Sequence, residues 1–102
     1  MKYEKEYKLW LETWGEVSQI DCGIEEMAEL IRAFSKYKRF LRFPENHAGR
    51  EKEYLDNIKE ELADVSLGIE QMTMHFGKEE IDQIREAKVQ RVTKKYFSTL
   101  PK

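Results

Sequence analysis

Residues 17–42 read VSQIDCGIEEMAELIRAFSKYKRFLR, and within them Ile20, Ile24, Met27, Ile31 and Phe34 recur at steps of four, three, four and three. A side chain returns to the same side of a helix at that step, so the run predicts one long amphipathic helix. The chain punctuates it on both sides. Gly15 separates it from a shorter segment, residues 3–14, in which Leu9, Trp10 and Trp14 stand among charges. Behind it, RFPENHAGRE (42–51) gathers proline, asparagine and glycine, which fix φ, favour turns and raise the entropy cost of helix, so this is the main loop. Leu55, Ile58, Leu62, Val65, Ile69, Met72 and Phe76 then repeat the helical step up to Gly77, a well-placed terminator. A last helix spans about 79–97, with acids in its first turn and Lys94 and Lys95 near its end, matching the backbone dipole. The expectation is an all-α fold, an antiparallel four-helix bundle-like domain covering residues 1–102. The third helix is apolar over much of its circumference, and Leu30 and Ala33 of the second lie away from its main stripe. Two apolar faces ask for more than one chain to cover them, so a dimer is plausible.

Composition narrows the function classes. With 102 residues the chain has room for one modest core, which excludes a multidomain enzyme. Charged residues make up 37%, and no apolar run approaches the roughly 18 residues that a membrane span needs. MKYEKEYKLW at the N-terminus has no apolar signal region, and Cys22 is the single cysteine, so a cytoplasmic protein without disulfides is expected. The net charge of −2 argues against a nucleic-acid polymer or an anionic membrane as partner. Function is therefore sought in local clusters.

The clearest cluster is acidic. G-I-E-E-M-A-E-L-I places Glu25, Glu26 and Glu29 within little more than one helical turn, spacings at which like charges disfavour a helix. In the third helix E-E-L-A-D puts Glu61 and Asp64 three apart, on the shoulder of the stripe formed by Ile58, Leu62 and Val65. Antiparallel packing of the two helices brings Glu26 and Glu29 to Glu61 and Asp64 in one cleft. Carboxylates without histidine or thiolate favour Mg²⁺, with Mn²⁺ as a substitute, over zinc or copper. Magnesium completes its shell with water and substrate phosphate and lowers the pKa of a bound water, so hydrolysis of a phosphoanhydride is the natural use. The alternative reading is a solvated helix face, with Glu29 and Arg32 as an ordinary ion pair.

E-E-x-x-E followed by E-x-x-D on the next long helix resembles the MazG-like nucleoside triphosphate pyrophosphohydrolases. WGEVSQIDCGIEEMAELIRAFSKYKR (14–39) and EELADVSLGIEQM (60–72) are similar to that family's second and third helices. The resemblance implies an all-α homodimer or tetramer that uses Mg²⁺ to cleave a nucleoside triphosphate to the monophosphate and pyrophosphate. By position it implies Glu26, Glu29, Glu61 and Asp64 as metal ligands. Glu25 takes the first glutamate of the motif and is left between three roles: catalytic base, second-metal ligand or solvated acid. Two departures stand out: the spacer from residue 30 to 60 is longer than is common, and Val92 replaces a common asparagine.

Substrate contacts follow from the same likeness. Ile81, Ile84, Lys88 and Val92 fall on one face of the last helix, so Lys88 interrupts an apolar seam. Similarity to the family's K-x-x-R stretch places Lys88 and Arg91 at substrate phosphates, with Tyr96 two turns beyond Lys88 near the sugar or base. Trp10 and Trp14, four apart on the first helix, form a base platform by likeness to some relatives, although such a pair more often fills a core. Cys22 is expected as a small buried residue. A phosphoribosyl-nucleotide pyrophosphatase of the same fold and a non-catalytic helical interaction module are the competing functions.

Overall fold

The computed structural model describes residues 1–97. It is all-helical: α1 (Glu4–Trp14), α2 (Glu16–Arg42), a short 3₁₀ turn (Pro44–His47), α3 (Glu51–Phe76) and α4 (Lys78–Phe97), with no strand among the described residues. The helix boundaries follow the punctuation in the sequence. Gly15 sits at φ 85° and ψ 161°, a region costly for any residue with a Cβ, so α1 ends there and α2 starts anew. Its amide donates to the Leu11 carbonyl at 2.8 Å, and its carbonyl accepts from the Gln19 amide at 3.0 Å. Gly77, at φ 122°, ends α3 in the same manner. No described helix is long and apolar enough to cross a membrane.

The chain divides into two compact units, residues 1–72 and the part from Thr73 onward. In the first unit, α2 and α3 run antiparallel: the Phe40 ring near the end of α2 lies 6.2 Å from the Tyr54 ring near the start of α3, while Gln19 and Gly23 meet Gly68 and Gln71 around a shared hollow. The loop is pinned to this pair by a 2.9 Å hydrogen bond between His47 Nδ1 and the Tyr54 hydroxyl. The first helix is tied on at the other end. Tyr7, fully buried, meets the rings of Tyr3 and Trp10 edge-on at 6.1 and 5.6 Å, and Gln71 Nε2 donates to its main-chain carbonyl at 3.2 Å.

The face that α2 turns inward differs from the expected one. Its buried and half-buried positions include Gln19, Gly23, Glu26, Leu30, Ala33, Tyr37 and Phe40, again at steps of four and three. On α3 the matching line is Tyr54, Ile58, Glu61, Val65, Gly68 and Gln71. The stripe that revealed the helix lies outside: Ile24, Met27 and Phe34 are exposed, Ile31 is 66% exposed, and only Ile20 is half-buried. Leu62 and Ile69 of α3 are exposed as well. Fully burying one such side chain is worth roughly 1.5–3 kcal/mol, so this outer surface leaves substantial stabilisation unused in a single chain. The inner line instead carries small and acidic residues.

In the second unit, α4 has Glu79 and Glu80 in its first turn and Lys94 and Lys95 in its last, as the dipole argument requires. None of its residues is buried, and Ile84, Val89 and Val92 are exposed. The apolar seam expected around Lys88 is therefore an uncovered surface, because nothing within this short unit packs against it.

Candidate functional site

Glu26 and Glu61 occupy the inner lines of α2 and α3, so helix pairing alone drives two carboxylates together. Glu29, nearly one turn beyond Glu26, completes the set. One carboxylate oxygen from each of Glu26, Glu29 and Glu61 lies within 4.8 Å of the others. Glu26 and Glu61 are half-buried, and the Oε2 atom of each is shielded from solvent with no hydrogen-bond partner. Glu29 is exposed. Among the described residues, no ion pair takes in any of these acids, whereas other acids are paired, as at Lys8–Glu4, Arg50–Glu53, Lys52–Asp56 and Lys78–Asp82. Glu29 is drawn into this cluster and makes no pair with Arg32.

The electrostatics carry the same message. Burial pushes the Glu26 carboxyl above its ordinary value, and the charges of Asp64, Glu29 and, least, Glu25 add to the shift. Glu61 is raised likewise, first by burial and then by Glu29, Asp64 and Glu26. Gathering like charges and shielding their oxygens is unfavourable unless a cation or a proton is shared among them. The donor set is all carboxylate, which suits a hard divalent ion. A shielded, unpartnered oxygen on each of Glu26 and Glu61, two members of the three-acid cluster, is the kind of donor that such an ion would satisfy. Asp64 stands beside Glu26, outside the tight set, and its charge is felt by both Glu26 and Glu61.

A cavity of about 600 Å³ opens directly beside the acids, with Glu26 and Asp64 in its wall. The wall also includes Trp10 and Trp14 from α1, Gln19 from α2 and Leu67 and Gln71 from α3. Gly23 and Gly68 also border it, and a Cβ placed on either would meet nothing within 4 Å, so the missing side chains leave real space. Neither lysine nor arginine lines this hollow. Trp10 is half-buried and Trp14 is 57% exposed, so Trp14 is a wall of the cavity and not core filling. Cys22, expected as a buried residue, is exposed at the cavity's edge, just off the inner line that runs through Gly23 and Glu26.

Glu25 points elsewhere. It borders a shallow depression shared with Trp14, Val17, Ser18, Asp21 and Cys22, outside the three-acid set. Lys88, Arg91 and Tyr96 belong to the second unit, where all three are exposed and the Lys95 ammonium lies 5.1 Å from the Tyr96 ring centre. Sequence reasoning passed over Gln19, Gly68 and Gln71. Their only signal was position: small or polar residues at the step of a helix seam. Against protein-family models, curated proteins and solved structures alike, the chain finds no match.

Proposed function

We propose that the protein is a Mg²⁺-dependent nucleoside triphosphate pyrophosphohydrolase that cleaves between the α and β phosphates to give a monophosphate and pyrophosphate. The observation that carries this reading is the meeting of Glu26, Glu29 and Glu61 beside an indole-walled cavity, with two shielded oxygens unsatisfied. Glu26, Glu29 and Glu61 would hold the ion, with Asp64 adjoining. When bound, a divalent ion neutralises phosphate oxygens and makes an attacking water more acidic. The chain's own contribution is orientation. Trp10 and Trp14 would supply flat faces on which a base can stack, and the lack of cations in the cavity wall supports reading it as the place of the substrate's uncharged end. The phosphates then fall on the acid side, where the ion offsets their charge. Glu25 remains the candidate base by its place in the motif. The substrate roles of Lys88, Arg91 and Tyr96 rest on the sequence resemblance alone.

The MazG-like bundle, a cytoplasmic setting and a homodimer or homotetramer belong to the same proposal. The oligomer is supported by the outer stripe of α2, which runs apolar from Ile24 to Phe34 and is exposed in one chain. That same stripe favours a second reading, a non-catalytic helical module that docks on another protein. Product analysis decides between them. Incubation of a nucleotide panel with Mg²⁺ is expected to give monophosphate and pyrophosphate. Diphosphate and orthophosphate would place the cut at another bond, and absence of metal-dependent turnover would favour the module. Preference for a phosphoribosyl nucleotide over free triphosphates in that panel would assign the biosynthetic variant of the reaction.

A further inference from the structure

Gln71 is 3% exposed, the one polar residue in the buried core of the described chain, and it borders the cavity. Its side chain reaches α1, where Nε2 donates to the main-chain carbonyl of Tyr7 at 3.2 Å. A carbonyl only accepts, so the atom facing it must be the amide nitrogen, and this fixes which way round the carboxamide sits. The carboxamide oxygen Oε1 is thereby turned away from α1. Among the described residues it has no hydrogen-bond partner, yet it is not among the atoms sealed from solvent. Gln71 lines the wall of the cavity described above.

We propose that Gln71 is a specificity-determining residue, a fixed acceptor that selects an uncharged heteroaromatic ring carrying an N–H donor on its edge. The inference rests on reading the cavity as the base's half of a nucleotide site. Trp10 and Trp14 provide flat faces, and no lysine or arginine in the wall favours an anion there. Along α3 the acceptor lies seven residues beyond Asp64, about 10 Å at the helical rise, which leaves room for a sugar and a ring between the acids and Gln71. An occupant that covers this acceptor without pairing it loses affinity, because it displaces the water that would otherwise satisfy the oxygen.

The chain's two tryptophans both stand in the cavity wall, so their indole N–H signals in NMR report its occupancy directly. The test titrates the full chain, without metal, with uridine against 3-methyluridine and with adenosine against N6,N6-dimethyladenosine. In at least one pair the N–H-bearing nucleoside is expected to bind about tenfold more tightly than its methylated counterpart, and Gln71→Leu is expected to bring that ratio close to one. Failure of all four nucleosides to bind, equal binding within both pairs, or a ratio retained in Gln71→Leu would overturn the role. The wild-type comparison needs no variant, so a misfolded Gln71→Leu does not rescue the idea. Pyrophosphate release with Mg²⁺ is read separately. Turnover without methyl discrimination removes Gln71 from the account and leaves the hydrolase; discrimination without turnover does the reverse.

Discussion

Two lines of residues run along α2 at the same helical step and have opposite fates. The outer one, Ile24, Met27, Ile31 and Phe34, is as apolar as a core stripe and is exposed. The inner one, Gly23, Glu26, Leu30, Ala33 and Tyr37, mixes small, acidic and apolar residues and faces α3. A hydrophobic stripe shows that a segment is helical; it does not show which surface covers it. Here the pairing inside the chain is used to assemble acids and a cavity. The most apolar surface of the helix is exposed, and on our reading a second copy covers it.

The sharpest way to break this contrast is to neutralise the inner line. Glu61→Gln is expected to lower Mg²⁺-dependent pyrophosphate release by about a hundredfold or more with helicity unchanged, measured by product assay and circular dichroism. Loss of helicity instead would mark Glu61 as structural. The outer line is tested by Ile31→Glu together with Phe34→Glu. If a second copy covers the stripe, association should weaken by roughly tenfold to a hundredfold, read by analytical ultracentrifugation. A wild-type chain that sediments as a monomer would contradict that assignment.

Two smaller effects sharpen the inner side. Trp14→Ala should raise KM roughly tenfold with little change in kcat, since stacking on one face is lost while the acids are untouched. An equal fall in kcat would place Trp14 at the reacting bond. Gly68→Ala adds a Cβ into space where nothing lies within 4 Å, so it should stabilise the chain by about 0.5–1 kcal/mol through helix propensity alone. Chemical denaturation checks this. Destabilisation would mean that the hollow beside Gly68 closes in solution.

Much of the fold was legible because punctuation is local. Gly15, Pro44 and Gly77 mark helix ends wherever the rest of the chain goes, and each boundary falls within a residue or two of its expected place. The site was half legible. Glu26, Glu29 and Glu61 were identified by pattern and come together, whereas Asp64 stands beside the set and Glu25 outside it. Facing was not legible. Hydrophobicity assigned the core of α2 to the Ile24–Phe34 stripe because it assumes that the strongest apolar face meets the nearest partner. Cys22 was expected to be buried because it is small and apolar with no histidine near it in sequence, and Gln71 drew no attention: a lone glutamine on a helix acquires meaning only when α1 supplies a carbonyl for it.

On our reading the inner acids are arranged for a divalent ion and destabilise the fold without one. Both Glu26 and Glu61 have carboxyls raised above their ordinary value of 4.5. Between that value and the raised one, the folded chain holds protons there that the unfolded chain has released. Their contribution to stability is full below that ordinary value and is lost as pH rises through the raised one. Mg²⁺ competes with those protons and should restore what was lost. The direct measurement is the thermal unfolding midpoint at neutral pH, with chelator and with Mg²⁺, for the wild type and Glu61→Gln. The wild type should gain several degrees with Mg²⁺, and Glu61→Gln should melt higher than the wild type in chelator and gain little from the ion. A wild-type midpoint indifferent to Mg²⁺, with Glu61→Gln no more stable in chelator, would contradict the claim.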